Sequence, residues 1–312
     1  MTTAAVYLIK MILMQNKELP LLPVLDDAGD EYINRPLASV MVGWLINTPV
    51  TPNQVTLASV VLGLISIWFM TYNTYALTVF GAVLLQFSIV VDCVDGQLAR
   101  AKNMTSEWGD IFDHTTDDAK IALITIAIAW NLVGAAGMLF TACLIFAALA
   151  MVLLATCGQY FYCMEYAAVR KGRTPRELLR HISGIREMSG KRPWTLKYAV
   201  PKLILAYYLF RLGIVWLMIR ATNPSRLRNG GSRWGAPVRP SRYYETQIAP
   251  LNIWRFMGMG GFAIILLIFA LADKMLYLPL AYICAAPFYL LAWRRQLKAD
   301  RDFLACNSAV EV

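Results

Sequence analysis

Six long apolar runs limit this chain more than any other feature. A helix needs about 20 mostly apolar residues to cross a membrane, and such runs occur at residues 55–72, 75–91, about 109–133, 137–164, about 253–272 and 276–293. The composition agrees, because 16% of the 312 residues are charged, against about 25% in a typical soluble domain. The sequence therefore predicts an all-α integral membrane protein built as a bundle of six transmembrane helices.

Basic residues predict the orientation of these spans. The turns after spans one, three and five contain a single basic residue, Lys274, whereas residues 165–253 hold 17 Lys and Arg against four Glu. Cytoplasmic loops of membrane proteins carry an excess of Lys and Arg, so we expect both termini and this basic segment to be cytoplasmic. The acidic loop between spans two and three then lies on the same side.

A further apolar run, residues 196–219, leaves two interpretations open. It is long enough to span the membrane, but it contains Pro201, Lys197, Lys202 and Arg211, with Arg211 near its middle. A seventh span would also place the Arg-rich C-terminus outside the cell. We therefore favour an amphipathic helix on the cytoplasmic face, within a basic insertion between spans four and five.

These features divide the chain into five segments. Residues 1–50 form an N-terminal cytoplasmic segment with an interfacial helix at about 32–47, and residues 51–164 carry spans one to four. Residues 165–252 form the basic insertion, 253–295 carry spans five and six, and 296–312 form a cytoplasmic tail. Two explanations of the basic charge in residues 165–252 remain open. The positive-inside rule alone accounts for it, or the basic segment binds anionic headgroups or phosphorylated substrates. Its position beside membrane spans argues against nucleic acid as a partner.

Seven acidic residues are concentrated within residues 92–118, between spans two and three. Asp92 and Asp95 are three apart, and Asp113 and Asp117 are four apart, so each pair shares one face of a helix. Because consecutive spans run antiparallel, both pairs lie at the same membrane depth. Four converging carboxylates repel one another unless they are protonated or cations lie between them. Oxygen ligands suit Mg²⁺ or Mn²⁺, and four carboxylates can hold two such ions.

Small residues beside these acids predict a groove. Gly96 follows Asp95 directly, Ala99 lies three residues further, and Gly109 shares the face of the second acidic pair. A missing side chain lets a ligand approach the backbone, and the planar guanidinium of Arg100 is suited to phosphate. Metal ions, an arginine and a groove together indicate a diphosphate site.

The pattern resembles the signature of the CDP-alcohol phosphotransferase family, D-x2-D-G-x2-A-R-x8-G-x3-D-x3-D. The chain meets this signature without a gap at Asp92, Asp95, Gly96, Ala99, Arg100, Gly109, Asp113 and Asp117. The stretch TPNQVT, with Asn53 and Thr56 on one side of a helix, is similar to the entry of this family's first span. The resemblance covers about residues 51–133 and is weak over residues 165–253.

The resemblance implies roles for these residues. Asp92, Asp95, Asp113 and Asp117 match the family's carboxylates around two divalent ions, and Asp117 matches its proposed general base. Gly96, Ala99, Arg100 and Gly109 match positions lining the CDP pocket, and Asn53 and Thr56 would help to hold the nucleotide. The family also implies a homodimer.

Two chemistries and one different class of protein remain open. CDP-diacylglycerol would react with a polar alcohol such as inositol phosphate, glycerol phosphate or serine, or a CDP-aminoalcohol would react with a lipid alcohol. The basic segment favours the first, because a phosphorylated acceptor requires nearby arginines. A cation transporter is the alternative from another class, but it predicts carboxylates near mid-span, whereas these lie at one face.

Overall fold

The computed structural model describes residues 25–104, 107–170, 196–222 and 240–308. Within these ranges it does not describe the side chains of residues 107–114, 135, 196–201, 222, 240–242 and 304–308. The described part of the chain is helical and contains no strand, which confirms the all-α class.

Ten α-helices, numbered here along the described residues, follow a π-helical turn at Asp30–Asn34. A 3₁₀ turn at Met275–Tyr277 precedes the ninth of them. Their bounds are α1 Arg35–Leu45, α2 Pro52–Met70, α3 Tyr75–Ala101, α4 Glu107–Ala136, α5 Met138–Arg170, α6 Leu196–Thr222, α7 Pro240–Trp254, α8 Met259–Leu271, α9 Leu278–Cys284 and α10 Ala286–Ser308.

Six helical segments of the described chain are long and apolar enough to cross a membrane, the number that the sequence predicts. They are Pro52–Met70, Tyr75–Ala101, Met138–Arg170, Lys202–Ala221, Tyr243–Leu271 and Met275–Phe303. Five of these six segments correspond to predicted spans, and one does not. The predicted third span lies in α4, whose side chains are not described at residues 107–114 and 135, so α4 is not among the six and this span remains a prediction.

The segment Lys202–Ala221 is among the six, although the prediction did not count it as a span. Its length and apolar character are those of a crossing helix, and Arg211 is buried with 4% of its surface exposed. An amphipathic helix at an interface presents its charged side chains to water. The preference for an interfacial helix over residues 196–219 is therefore not confirmed.

The chain divides into two compact units. The first contains Asp26–Leu153 and Phe256–Ala286, and the second contains Leu154–Arg255 and the chain from Pro287 onward. The predicted division into five segments remains a prediction.

The apolar core of the first unit is formed by α2 to α5, α8 and α9. Leu85, Ile124, Leu266 and Leu278 are fully buried in it. The α2 and α3 backbones approach closely at Gly81, where Ser66 Oγ donates a 2.8 Å hydrogen bond to the Gly81 carbonyl. A Cβ at Gly81 would lie 2.8 Å from the Ser66 carbonyl oxygen. The glycine therefore permits this close packing of helices.

The N-terminal helix α1 packs against α3. Ala38 and Val42 are fully buried in a cluster with Val94 and Leu98. Polar contacts add to this packing, because Ser39 Oγ donates to Gln97 Oε1 at 3.0 Å. The helix predicted for residues 32–47 is thus present, while its position at the membrane interface remains a prediction.

Aromatic and amide side chains fill the second unit. Trp254 is fully buried between Tyr162 and Trp293, and Gly158 on α5 leaves room for its indole ring. Gln296 Nε2 donates to Gln247 Oε1 at 2.6 Å and to Asp300 Oδ1 at 2.9 Å. These buried bonds join α7 to α10.

Candidate functional site

The first turn of α2 carries the two predicted polar residues Asn53 and Thr56. Thr51 caps this helix, because its side chain accepts from the Gln54 amide and the Gln54 side chain accepts from the Thr51 amide. This reciprocal pair and Pro52 at the first helical position hold the start of α2 in place. Asn53 is exposed, and Thr56 is half-buried beside Asp95.

Asp92 lies near the C-terminal end of α3 and is buried, with 9% of its surface exposed. Its Oδ1 atom accepts a 2.7 Å hydrogen bond from Ser59 Oγ on α2. The same oxygen accepts from Lys120 Nζ on α4 at 3.1 Å. Three helices therefore meet at one carboxylate oxygen.

Asp117 on α4 reaches the same ammonium group. Lys120 Nζ lies 3.3 Å from Asp117 Oδ1, one turn earlier on the helix. The structure thus brings Asp92 and Asp117, one from each predicted pair, to a single cation. Asp95 is half-buried one turn after Asp92 and lies in the electrostatic field of both Asp92 and Lys120.

Gly109 and Asp113 lie on the backbone of α4, and their side-chain environments fall outside the described residues. Among the side chains that the structure describes, no three His, Cys, Asp or Glu groups are close enough together to hold a metal ion. The contribution of Asp113 to a metal site therefore remains a prediction.

The groove that the sequence predicts would lie beside Gly96, near the end of α3. A Cβ at this position would have the Arg100 guanidinium nitrogens as its nearest neighbours, at 3.6 and 3.9 Å. Arg100 is exposed and Ala99 is half-buried. The guanidinium thus lies over a position without a side chain, an arrangement that suits a phosphate group.

Sequence reasoning missed Ser59, Gly63, Ser88 and Lys120. Ser88 Oγ donates to the Ser59 carbonyl at 2.7 Å, and Lys120 packs beside Gly63. Two of them could have been found from the sequence. Ser59 lies three residues after Thr56, and Lys120 lies three residues after Asp117, so each shares a helix face with a predicted site residue. Polar residues on the acidic face of an apolar helix are candidates for a site.

These residues fit a divalent cation. Carboxylate oxygens are the ligands that Mg²⁺ and Mn²⁺ prefer. Asp92 Oδ1 and Asp117 Oδ1 already converge on a positive group, the Lys120 ammonium, in the structure. Because Asp92 and Asp117 come from different helices, the fold places anionic oxygens around one cation position.

A second acidic group lies near the N-terminus of the first unit. Asp27 Oδ1 accepts from the Gly29 amide at 2.9 Å, and its carboxyl packs against Gly258 and Gly260. Burial, together with the nearby Asp30 carboxylate, raises the pKa of Asp27 to about 7. Burial also raises the pKa of Asp30, which lies in the field of Asp92. The acidic site therefore has protonatable neighbours outside the spanning helices.

Comparison with known proteins identifies related sequences. Residues 49–221 match the model of the CDP-alcohol phosphatidyltransferase family, which is more than half of the chain. This match contains all the predicted site residues and extends into the segment that we treated as an insertion. Members of the family use CDP-linked donors and alcohol acceptors with a membrane lipid, and are in general dependent on divalent metal ions.

Three curated relatives were found. A "Bifunctional IPC transferase and DIPP synthase" of Thermococcus kodakarensis is 29% identical over 53% of this chain and 35% of its own length. A protein of the same name from Rubrobacter xylanophilus is 33% identical over 33% of this chain and 23% of its own length. The Drosophila melanogaster "CDP-diacylglycerol--inositol 3-phosphatidyltransferase" is 35% identical over 25% of this chain and 34% of its own length.

The chain thus spans about a third or less of the length of each of these relatives. The family match, by contrast, covers helices α2 to α6. From this match and the six apolar helices, the chain belongs to the CDP-alcohol phosphatidyltransferase family and is a multi-pass integral membrane protein.

Proposed function

We propose that this protein transfers a substituted phosphate from a CDP-linked donor to an alcohol hydroxyl, with release of CMP, as a step of phospholipid synthesis. The observation that carries the proposal is the convergence of Asp92 and Asp117 on one cation. Both residues belong to the ungapped eight-position signature of the family.

The metal-binding part of the proposal concerns the four acidic residues of the signature. Asp92, Asp95, Asp113 and Asp117 would hold two Mg²⁺ or Mn²⁺ ions, which would supply positive charge to the diphosphate during displacement. Ser59 orients the first of these carboxylates through its 2.7 Å hydrogen bond to Asp92 Oδ1.

Asp117 is the proposed general base. Its carboxylate accepts the proton of the acceptor hydroxyl, and the hydroxyl oxygen forms a bond to the β-phosphorus of the donor. The bond between the β-phosphorus and the bridging oxygen breaks, and CMP leaves with that oxygen and its electron pair. A base must lie within hydrogen-bonding reach of the proton that it removes. The contact of Asp117 with Lys120 Nζ at 3.3 Å places its carboxylate beside Asp92, at the same cation position.

The remaining signature residues bind the nucleotide. Gly96, Ala99 and Gly109 leave space for the diphosphate, and the Arg100 guanidinium supplies paired donors to its oxygens. Asn53 and Thr56, at the start of α2, help to hold the nucleotide.

CDP-diacylglycerol is the favoured donor, with a polar alcohol such as inositol phosphate, glycerol phosphate or serine as the acceptor. Two observations support this choice. One relative is named as a CDP-diacylglycerol–inositol phosphatidyltransferase, and residues 165–253 carry a net charge of +13, which suits a phosphorylated acceptor. The alternative is transfer from a CDP-aminoalcohol to a lipid alcohol.

The proposed setting follows from the basic segments. Both termini and the active site are proposed to face the cytoplasm, because residues 165–253 hold 17 Lys and Arg and cytoplasmic loops are enriched in these residues. The active unit is a homodimer, as the family implies.

The decisive experiment measures CMP release by the purified full chain. CDP-diacylglycerol and CDP-aminoalcohols are each offered with candidate alcohols, with Mg²⁺ or with a chelator, and the lipid product is identified by mass spectrometry. We expect metal-dependent CMP release that Asp117→Asn abolishes.

Asp118→Asn is the matched control, because Asp118 is the adjacent acidic residue and lies outside the signature. It should retain most of the activity. If no CDP donor gives metal-dependent CMP, or if Asp117→Asn remains as active as the unmodified protein, the proposed reaction is wrong. Product formed from a CDP-aminoalcohol alone would replace the favoured donor with the alternative.

A further inference from the structure

Lys120 is a buried lysine that lies outside the family signature. It is 5% exposed, and its Nζ atom lies 3.1 Å from Asp92 Oδ1 and 3.3 Å from Asp117 Oδ1. A lysine is rarely buried to this degree unless it is paired. Both of its partners are acids that the proposed function assigns to divalent ions.

The neighbouring helix is shaped to receive this side chain. A Cβ at Gly63 on α2 would lie 3.7 Å from both Cδ and Cε of Lys120, and 3.2 Å from Ser88 Oγ. The hydrocarbon stem of Lys120 thus passes α2 at Gly63, which has no side chain. Its charged end reaches the carboxylates. Lys120 is built into the site and is not a surface residue that has folded inward.

The lone pairs of Asp92 Oδ1 limit what else this oxygen can bind. A carboxylate oxygen has about two acceptor positions, and Asp92 Oδ1 already accepts from Ser59 Oγ and from Lys120 Nζ. A cation that binds this oxygen must take the position of one of these donors. The ammonium is the donor that a second positive charge repels.

We propose that Lys120 is a positioning residue that acts as the internal counter-ion of the carboxylate site in the metal-free protein, and that divalent-ion binding displaces its ammonium from Asp92 and Asp117. This inference rests on the proposed function, because it takes these two acids as metal ligands. It gives the chain a way to keep buried carboxylates compensated before metal binds, since an unpaired buried charge is strongly destabilising.

The test measures Mn²⁺ affinity and thermal unfolding of the full chain in detergent, with no CDP substrate present. Free Mn²⁺ is followed by electron paramagnetic resonance, and the dissociation constant is also measured by chelator competition starting from the Mn²⁺-bound protein. A variant that is unstable without metal therefore still yields a value.

Lys120→Met removes the charge and keeps most of the stem. Because the variant has no ammonium group to compete with the metal ion, we expect it to bind Mn²⁺ about tenfold more tightly than the unmodified chain. This factor lies within the usual range of coupling between two linked ligands. The metal-free variant should unfold at a lower temperature than the unmodified protein, and saturating Mn²⁺ should remove most of that difference. Lys120→Gln should behave in the same way, and Lys120→Arg should bind Mn²⁺ no more tightly than the unmodified chain.

Lys102→Met is the matched control. Lys102 is also a partly buried lysine of the first unit, but its Nζ donates to the Thr48 and Val50 carbonyls, at 2.9 and 2.7 Å. The same substitution there should lower stability and leave the Mn²⁺ affinity unchanged. A lysine with a purely structural role would give this second pattern.

Two results would overturn the inference, and only the second would also contradict the proposed function. If the unmodified chain binds Mn²⁺ while Lys120→Met and Lys120→Gln bind it equally or more weakly, the counter-ion role is wrong and the proposed reaction is unaffected. If the unmodified chain does not bind Mn²⁺ at all, the inference and the metal site of the proposed function both fail.

Discussion

Ser59 and Asp92, on adjacent helices, are joined by a 2.7 Å hydrogen bond from the serine hydroxyl to Oδ1 of the carboxylate. Both side chains are buried, so water has little access to this bond. Groups that orient a metal ligand typically affect metal affinity or activity by about 10- to 100-fold. We therefore expect Ser59→Ala to lower the rate of CMP release by at least about tenfold at limiting Mg²⁺, measured with CDP-diacylglycerol.

Ser66→Ala separates this effect from a loss of helix packing. Ser66 is an equally buried serine seven residues further along α2, and its hydroxyl donates to the Gly81 carbonyl at 2.8 Å. Both variants lose one buried hydrogen bond, worth about 1 kcal/mol of stability. Ser66→Ala should keep its activity below its unfolding temperature, and equal losses of activity in the two variants would contradict the assigned role of Ser59.

Gly260 on α8 lies against the N-terminal segment of the first unit. A Cβ at this position would lie 2.7 Å from Asp30 Oδ1 and 2.8 Å from the Asp30 amide nitrogen, closer than real Cβ contacts. Because backbone atoms are among those that would have to move, Gly260→Ala should destabilise the protein by about 1 to 3 kcal/mol. Thermal unfolding followed by tryptophan fluorescence measures the change.

Gly134 on α4 provides the control for that substitution. A Cβ at Gly134 has no atom within 4 Å, so Gly134→Ala should be neutral, or stabilising by about 0.5 to 1 kcal/mol, because alanine is the better helix former. Similar destabilisation of both variants would show that the contact with Asp30 is not the cause.

The buried carboxyl of Asp27 predicts a pH dependence of stability. Its pKa is raised to about 7 in the folded protein by burial, from an ordinary value of 3.8. Between about pH 4 and pH 7 the folded chain therefore retains a proton that the unfolded chain releases. Stability falls as the pH rises through this window, and the loss remains above pH 7.

Asp27→Asn should remove this contribution while keeping the Oδ1 acceptor for the Gly29 amide. The variant should match the unmodified protein near pH 4 and be more stable at pH 8 by about 2 to 4 kcal/mol. The midpoint of thermal unfolding, measured for both proteins from pH 4 to pH 8, checks the prediction. A constant difference across the range would contradict it.

The capping box at Thr51 predicts a difference between two threonines. Thr51 and Thr74 precede α2 and α3, but only Thr51 makes a side-chain hydrogen bond to its helix. Thr51→Ala should therefore cost about 1 kcal/mol, and Thr74→Ala clearly less. Thermal unfolding compares the two, and a larger loss in Thr74→Ala would show that the capping geometry does not determine the stability of these helix starts.

The helical fold was predictable because long apolar runs allow little else in a membrane. The run at residues 75–91 and the motif after it form one helix, Tyr75–Ala101, as the three-residue spacing of Asp92 and Asp95 required. The fifth predicted span, at 253–272, is interrupted at residues 255–258, between α7 and α8. Hydropathy alone does not register such a break, because Phe256, Met257 and Gly258 keep the run apolar on average despite Arg255.

Contacts between helices were beyond prediction. The pairing of Lys120 with Asp92 depends on the rotation of α4 against α3, and periodicity along one helix does not specify that rotation. The packing of Asp27 against Gly258 joins residues more than 200 positions apart. Local spacing indicated which residues share a face, and the structure was needed to show which faces meet.

The α2–α3 pair is held at two levels, by Ser66 and Gly81 near its turn and by Ser59, Ser88 and Asp92 nearer the other end. We therefore expect that the turn at residues 71–74 is not needed to position the two helices. If the protein is expressed as two separate fragments, divided between Asn73 and Thr74, the fragments should associate in the membrane to form the same helix pair. The first acidic pair would then be restored by complementation, although no peptide bond links it to the helix that orients it.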